Sequence, residues 1–541
     1  MTGTSRELDD LSPGWMGNQA HVEFFGQEFR VAVRQPRLLV RQIRARLARS
    51  WRWMLESRPR EGLELADSVA SQLHELEPPA ATRYRTQVQH IRSFGKALSD
   101  DPVGLLLELS DAASDARRSH LTRVLLRFGY WRLSRWSELY ALPMASITTS
   151  PCDAFACVLD LAILAAAALE RLQLITASRF ATDAMCMADV AGLGDSIAAA
   201  SAAAVLASVR YELGYLDHAE QLLLSRLPII HAQGTPDVII RAYSLLSRIA
   251  QHRGQCEHAA MVLNEGQLLG EQRLCARIVL TMMAERVRML IARDDIASAR
   301  QEVSAMQRHA QAHPAASYVC DEIASVCALA HLRVVVAQGR LADVVAPLRA
   351  LLGAATSAQR HYAAFHLTLE LAGTLSESGE EDLTSRLLVR ALHRGERVGL
   401  LQCWVDAGRS CSSLLEQVAE RSPYVATPQL SALHPYLRTI LTHQTTSNVA
   451  QQRTVRHCVR ASERLSARER VVLVLVAKGQ SNKRAAQTLR VTPETIKSHL
   501  KRVFLKLGAK TRAEAVSRAA DLGQLIGVVI PVTAKREHVY S

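Results

Sequence analysis

The chain has 541 residues, of which 48 % are hydrophobic, 22 % charged and 5 % aromatic. That is too long for one hydrophobic core and too apolar for wholesale disorder, while the abundance of Ala, Leu and Arg favours helix. The ten cysteines are scattered with no C-x-x-C pair, which excludes a zinc ribbon or a disulfide ladder and fits reduced thiols in the cytosol.

The formal net charge is +13, and its position is informative. Residues 451–541 hold 19 Lys+Arg and 6 Asp+Glu; taken from the totals of 65 and 52, these leave 46 of each sign in the first 450. The whole excess sits in the last sixth of the chain, the footprint of a nucleic-acid-binding module on a neutral body. The start of the chain, with Glu7, Asp9 and Asp10, has no basic patch before an apolar core, so no secretory leader is expected. The most apolar stretch, Val158 to Leu169, contains Asp160 and falls far short of the ~20 residues of a membrane span.

In chain order, residues 1–40 form an N-terminal segment of unassigned role, and residues 41–400 are expected to be helical repeats. From about Ala200 to Gly399 a helix ends at a turn marker and a small residue follows five positions later. The markers are Gly214, Gly254, Asp294, Gly339 and Gly379, spaced 40, 40, 45 and 40 apart. The small residues are Ala219, Ala259, Ala299, Val344 and Thr384, and four further on stand Leu223, Leu263, Val303, Leu348 and Leu388. Glycine ends a helix at low cost through positive φ, and a small residue lets two antiparallel helices approach. Weaker turns near Arg58, Ser99, Arg135 and Leu172 extend the array to about nine hairpins. It resembles tetratricopeptide (TPR) repeats, with a period longer than that family's usual length of about 34 residues and with Pro347 inside one second helix. Residues 401–441 read as a capping helical segment and 442–462 as a linker. Trp51, Trp53, Trp131 and Trp136 read as repeat packing rather than an aromatic cage, and Cys152 and Cys157 as buried thiols rather than redox partners.

Residues 463–525 carry four helix signatures, and 526–541 form a tail. Ser466-Ala467-Arg468-Glu469 is a capping box that opens a helix ending near Gly479. Ser481 caps a short second helix, Asn482 to Leu489, and Thr492-Pro493-Glu494 starts a third that runs to Leu507. Thr511-Arg512-Ala513-Glu514 opens a fourth, to about Leu522. Short helix, tight turn and longer helix make a helix-turn-helix, whose second member enters the major groove. Ile496, Leu500, Val503 and Leu507 form the buried stripe of the third helix, with Glu494, Lys497, Ser498, Lys501 and Leu505 opposite. Lys497, Ser498 and Lys501 are the candidates for base edges. Lys483, Thr492, Thr495, His499, Arg502 and Lys506 suit phosphate contacts.

These residues closely resemble the LuxR/GerE-type helix-turn-helix: Leu465-Ser466-x-Arg468-Glu469, Ala477-x-Gly479-x-Ser481-Asn482-Lys483, Thr495-Ile496-Lys497-x-His499-Leu500 and Lys506-Leu507-Gly508. The resemblance implies a homodimer on inverted half-sites of double-stranded DNA, with the fourth helix pairing the domains and bases read from Lys497, Ser498 and Lys501. Arg484-Ala485 departs from the family's acidic-plus-isoleucine pair, and Arg502 stands where many members have Asn. A LuxR-type tail on TPR-like repeats resembles the MalT-like large regulators. Their phosphate-binding loop is not found, since the only Gly-Lys pair, Gly95-Lys96, is followed by Ala97.

The expectation is therefore an all-α chain, a TPR-like helical-hairpin superhelix followed by a four-helix LuxR-type domain. Its expected function is that of a sequence-specific regulator, an activator that contacts RNA polymerase in the cytoplasm at the nucleoid, whose repeats sense an effector or a partner protein. No catalytic constellation, cofactor or metal is expected: His309-x-x-x-His313 lacks a third ligand and is followed by Pro314. The alternative is a TPR-like scaffold whose basic tail holds DNA without specificity.

Overall fold

The structure is a computed structural model that describes residues 37–55, 58–110, 120–144, 151–312, 317–421, 433–445, 467–477, 480–489, 491–507, 509, 511–512 and 514–516. Among them every regular element is a helix. The Ser466 cap, Gly479, Gly508, His313 and the fourth helix beyond residue 516 lie outside the described residues.

The repeats are antiparallel helix pairs: α1 Arg37–Leu55 with α2 Pro59–Ala70, α3 Pro78–Leu98 with α4 Pro102–Ser110, and α5 His120–Arg132 with α6 Trp136–Ala141. Then come α7 Pro151–Glu170 with α8 Leu174–Val190, and α9 Ile197–Glu212 with α10 Leu216–Leu224. A short α11 Leu227–Gln233 precedes α12 Pro236–His252 and α13 Cys256–Gln272. The array continues through α14 Ala276–Ala292 with α15 Ile296–Ala312, α16 Ser317–Ala337 with α17 Val345–Ser357, and α18 His361–Glu377 with α19 Glu381–Val398. It ends with α20 Gln402–Asp406, α21 Gly408–Arg421 and α22, residues 433–445.

The local chemistry explains these helices. In α9 the Ser196 hydroxyl accepts from Ala199 N at 3.2 Å, the run to Leu206 is mostly alanine, and Gly214 closes the turn beyond it at φ +82°. Ala198 to Ala200 and Ala202 to Ala204 are all buried, so α9 can lie close against α7, α8 and α10 together. The small residues of the period, Ala219, Ala259, Ala299, Val344 and Thr384, are buried, as are the five aliphatic residues four places on. Pro347 stands in the first turn of α17 rather than inside a helix, because Leu341–Asp343 forms a separate 3-10 turn. A proline there removes an amide that would have no helical partner in any case.

The array curls until residues far apart in sequence meet. Trp136 Nε1 donates to Ala358 O at 2.8 Å, and Arg360 Nε to Ser134 Oγ at 2.9 Å. Leu401 N donates to Glu212 O at 2.8 Å, Cys403 N to Glu212 Oε2 at 3.2 Å, and Tyr362 OH to Glu212 Oε1. At the centre lies a buried ionic cluster. Arg277 grips both oxygens of Asp100 at 2.7 Å and reaches Asp237 Oδ1 at 3.0 Å. Arg132 reaches Asp237 Oδ1 at 3.1 Å and Glu322 Oε2 at 2.7 Å, with Arg360 4.0 Å from Glu322. Such bidentate pairing is what makes burying these charges tolerable.

Candidate nucleic-acid interface

The C-terminal domain is built from α23 Ala467–Ala477, α24 Asn482–Leu489 and α25 Pro493–Leu507. Val472, Leu475 and Val476 of α23 pack with Ala485, Ala486 and Leu489 of α24 and with Ile496 and Leu500 of α25. A second cluster joins Leu473, Val503, Ala509 and Ala515. Alanine at 485 removes bulk between α24 and its neighbours, while Arg484 beside it is exposed.

The helix starts are set by side-chain caps. Ser481 Oγ accepts from Arg484 N at 3.3 Å, and Thr511 Oγ1 from Glu514 N at 3.1 Å. Thr492 Oγ1 accepts from Thr495 N at 3.2 Å, and the two hydroxyls lie 2.8 Å apart. Val491 N donates back to Ala486 O at 3.0 Å, which closes the tight turn between α24 and α25. Arg512 reaches Asn482 Oδ1 at 3.1 Å and Gln480 O at 3.0 Å, pinning the start of the fourth helix to the loop before α24. The amphipathic pattern gave no sign of this brace, and a conspicuous arginine one residue after a cap was its only sequence signal.

Ile496, Leu500 and Val503 are buried on α25, while Lys497, Ser498, Lys501 and Arg502 are exposed. Lys483 on α24 is exposed as well, and so is Thr492. Thr495 and His499 are half-buried, and His499 Nδ1 has no hydrogen-bond partner among the described residues. The side chains of Leu505, Lys506 and Leu507 lie outside the described set. Lys497 Nζ rests 2.9 Å from Glu494 Oε1, and that hydrogen bond and charge hold the Glu494 carboxyl below its usual value. The candidate interface is therefore a row of exposed cations and hydroxyls on one capped helix, with one carboxylate at its head.

Comparison with known proteins places this geometry. The profile of the MalT-like TPR region matches residues 146–421, just over half of the chain, and that of the bacterial regulatory proteins of the luxR family matches residues 463–519. The chain belongs to the MalT-like TPR family and ends in a luxR-family DNA-binding domain. A similar curated protein is the HTH-type transcriptional activator RamA of Corynebacterium glutamicum, 46 % identical over 67 residues. That match covers 12 % of this chain and 24 % of RamA, so the chain spans about a quarter of that relative's length. A solved structure, a Rap protein complexed with Competence and Sporulation Factor, is similar at a TM-score of 0.47 and 11 % identity over 66 % of this chain and 99 % of that one. Among the described residues no helix is long and apolar enough to cross a membrane.

Proposed function

We propose that this MalT-like protein is a sequence-specific transcriptional activator, bound as a homodimer to inverted repeats in double-stranded DNA and governed by a small-molecule or protein effector on its repeats. The observation that carries the reading is the row Lys497, Ser498 and Lys501, exposed on one side of α25 while Ile496, Leu500 and Val503 anchor the other. Lysine donates to guanine O6 and N7, and serine bonds to either kind of edge, so this row reads bases. Lys483, Thr495, Arg502 and Lys506 flank it and hold phosphates; Thr492 and His499 join them at the margins. Thr492 meets the backbone with a hydroxyl already occupied in the cap, so its contribution is to aim the N-terminus of α25 at a phosphate. Contact with RNA polymerase, and a working place in the cytoplasm at the nucleoid, follow from activation.

Selection of genomic fragments with the purified full chain at about 0.15 M salt tests the reading. Wild type should enrich a few fragments sharing an inverted repeat, and Lys497→Ala/Lys501→Ala should lose them. Uniform, salt-steep retention unchanged by the double substitution would make the chain a scaffold with a non-specific basic tail.

A further inference from the structure

Where early and late repeats touch, three basic side chains gather from three elements. The Arg171 guanidinium, just past the end of α7, lies 5.6 Å from the centre of the Trp136 ring at the start of α6. The same indole donates to Ala358 O, and Arg360 donates to Ser134 Oγ, which fastens the start of α6 to the start of α18. His361 is the first residue of α18, and α18 packs on both α7 and α19. Arg394 stands on α19, 15 residues beyond the turn at Gly379. That sets it level with Ala364, 15 residues before the turn, in the first turn of the antiparallel α18.

These charges are unanswered. Close by, Arg135 is paired with Glu138, and Arg360 reaches Glu322. Among the described residues, by contrast, Arg171, His361 and Arg394 have no ion pair. Burial lowers the His361 imidazole, and the charges of Arg394 and Arg171 lower it further. Partial burial lowers Arg394 as well. Like charges held together in this way repel, and a bound anion relieves the repulsion.

The donors narrow the anion. Two guanidiniums are permanently charged, so a dianion balances them and a single carboxylate does not. Forks arriving from different elements suit a group whose oxygens point several ways, as those of a phosphate do. The start of α18 has no side-chain cap, so its first amides add donors beside His361. Tyr140, one turn after Trp136 on α6, is exposed, and Arg171 is near enough for its charge to act on the phenol. That ring offers an apolar face to whatever the phosphate carries.

We propose that Arg171, His361 and Arg394 bind the phosphate group of a small phosphomonoester, with Tyr140 against its organic part. Free phosphate shares the chemistry of the charged end, and the choice of probes separates the two. The assignment names an effector class for the repeats and rests on their reading as a sensor. Because Arg171 and Arg394 lie far apart in sequence, one ligand ties early repeats to late ones at the closure of the curl.

The test is calorimetry and thermal unfolding of the full chain, in a phosphate-free buffer, with phenyl phosphate, inorganic phosphate and benzoate at up to about 10 mM. Phenyl phosphate should bind saturably and raise the melting temperature, with inorganic phosphate and benzoate each weaker by about tenfold. Arg394→Gln should weaken both phosphates about tenfold, while Arg390→Gln, an exposed arginine one turn earlier on α19, should leave them unchanged. Tyr140→Ala should weaken phenyl phosphate alone. No saturable binding of phenyl phosphate, benzoate binding as well as phenyl phosphate, or equal losses from Arg394→Gln and Arg390→Gln overturns the proposal. Phosphate held by the basic C-terminal domain would be indifferent to Arg394→Gln, which overturns it too. Inorganic phosphate binding as tightly as phenyl phosphate overturns the ester. Fragment selection without added ligand tests the regulator independently. Enrichment with no phenyl phosphate binding removes this site alone, and binding with no enrichment removes the regulator and leaves the site.

Discussion

On the proposed reading Lys497 serves both the domain, through Glu494, and the DNA. Its pair with Glu494 is an exposed i,i+3 contact, with the two side chains 64 % and 74 % accessible. Pairs so exposed are screened by solvent and contribute little, so a guanine edge can take the ammonium over at little cost. Lys497→Ala should therefore cost about 1–3 kcal/mol on the selected site and relax preference at one base pair, whereas Lys483→Ala should weaken every sequence alike. Binding titrations on the selected site and on random duplex check both; equal losses on all sequences in both variants would remove α25 as the reader. Glu494 is held anionic by Lys497 and heads the same face. Glu494→Gln removes a negative charge from the surface proposed to meet phosphates, so affinity should rise on specific and random duplex together, by roughly three- to tenfold at low salt. A change confined to one base pair, measured on a panel of single substitutions, would instead make Glu494 a reader of cytosine N4.

Gly214 shows at the level of elements what the repeat period contains and what it hides. The period marked this residue as a turn, and its φ of +82° agrees with that reading. A second demand on it is invisible in any local pattern. A Cβ at this position would lie 2.8 Å from His443 Cε1, on α22, the last described helix before the basic domain in sequence. His443 Nε2 also meets Gln402 Oε1 at 2.9 Å, so the ring has a fixed place on the repeats. Gly214→Ala should then cost about 1–2 kcal/mol and speed amide exchange in residues 433–445. Gly379→Ala is the control, since its φ is +83° but nothing lies within 4 Å of the added Cβ. It should carry only the backbone penalty and leave exchange in 433–445 unchanged; identical exchange in the two variants would show that His443 does not constrain α22. The second and third helices of the helix-turn-helix were legible because the Ser481 and Thr492 caps, Pro493 and the stripe of Ile496, Leu500 and Val503 are all local. The Arg512 brace was not, since capping patterns say where a helix starts and not which distant loop the start touches.

The closure of the repeats was the least legible feature, for a physical reason. Helical period reports what neighbours in sequence bury, but Arg277 and Asp100 are 177 residues apart and Arg132 and Glu322 are 190 apart. Each looks like an ordinary surface charge in its own helix or, for Asp100, in the turn between α3 and α4. Their burial makes the curl pH-dependent. Burial raises the Glu322 and Asp237 carboxyls, yet the charges of Arg132 and Arg277 outweigh it, with Arg360 adding to the effect on Glu322, and both stay below their ordinary values of 4.5 and 3.8. Groups depressed in the folded state contribute their full stability above the unfolded values and lose it as pH falls through the folded ones. The midpoint of urea unfolding for the repeats should thus carry no slope from these acids between about pH 5 and 7 and should fall below about pH 4. Glu322→Gln should flatten part of that fall. Arg277→Met should cost about 3–5 kcal/mol at neutral pH, because it leaves Asp100 and Asp237 buried with an arginine removed, and adding Asp100→Leu should recover part of the loss. Full additivity of the two substitutions, read from the same urea midpoints, would mean that the two residues do not act as one closure and that the curl is held by its apolar contacts alone.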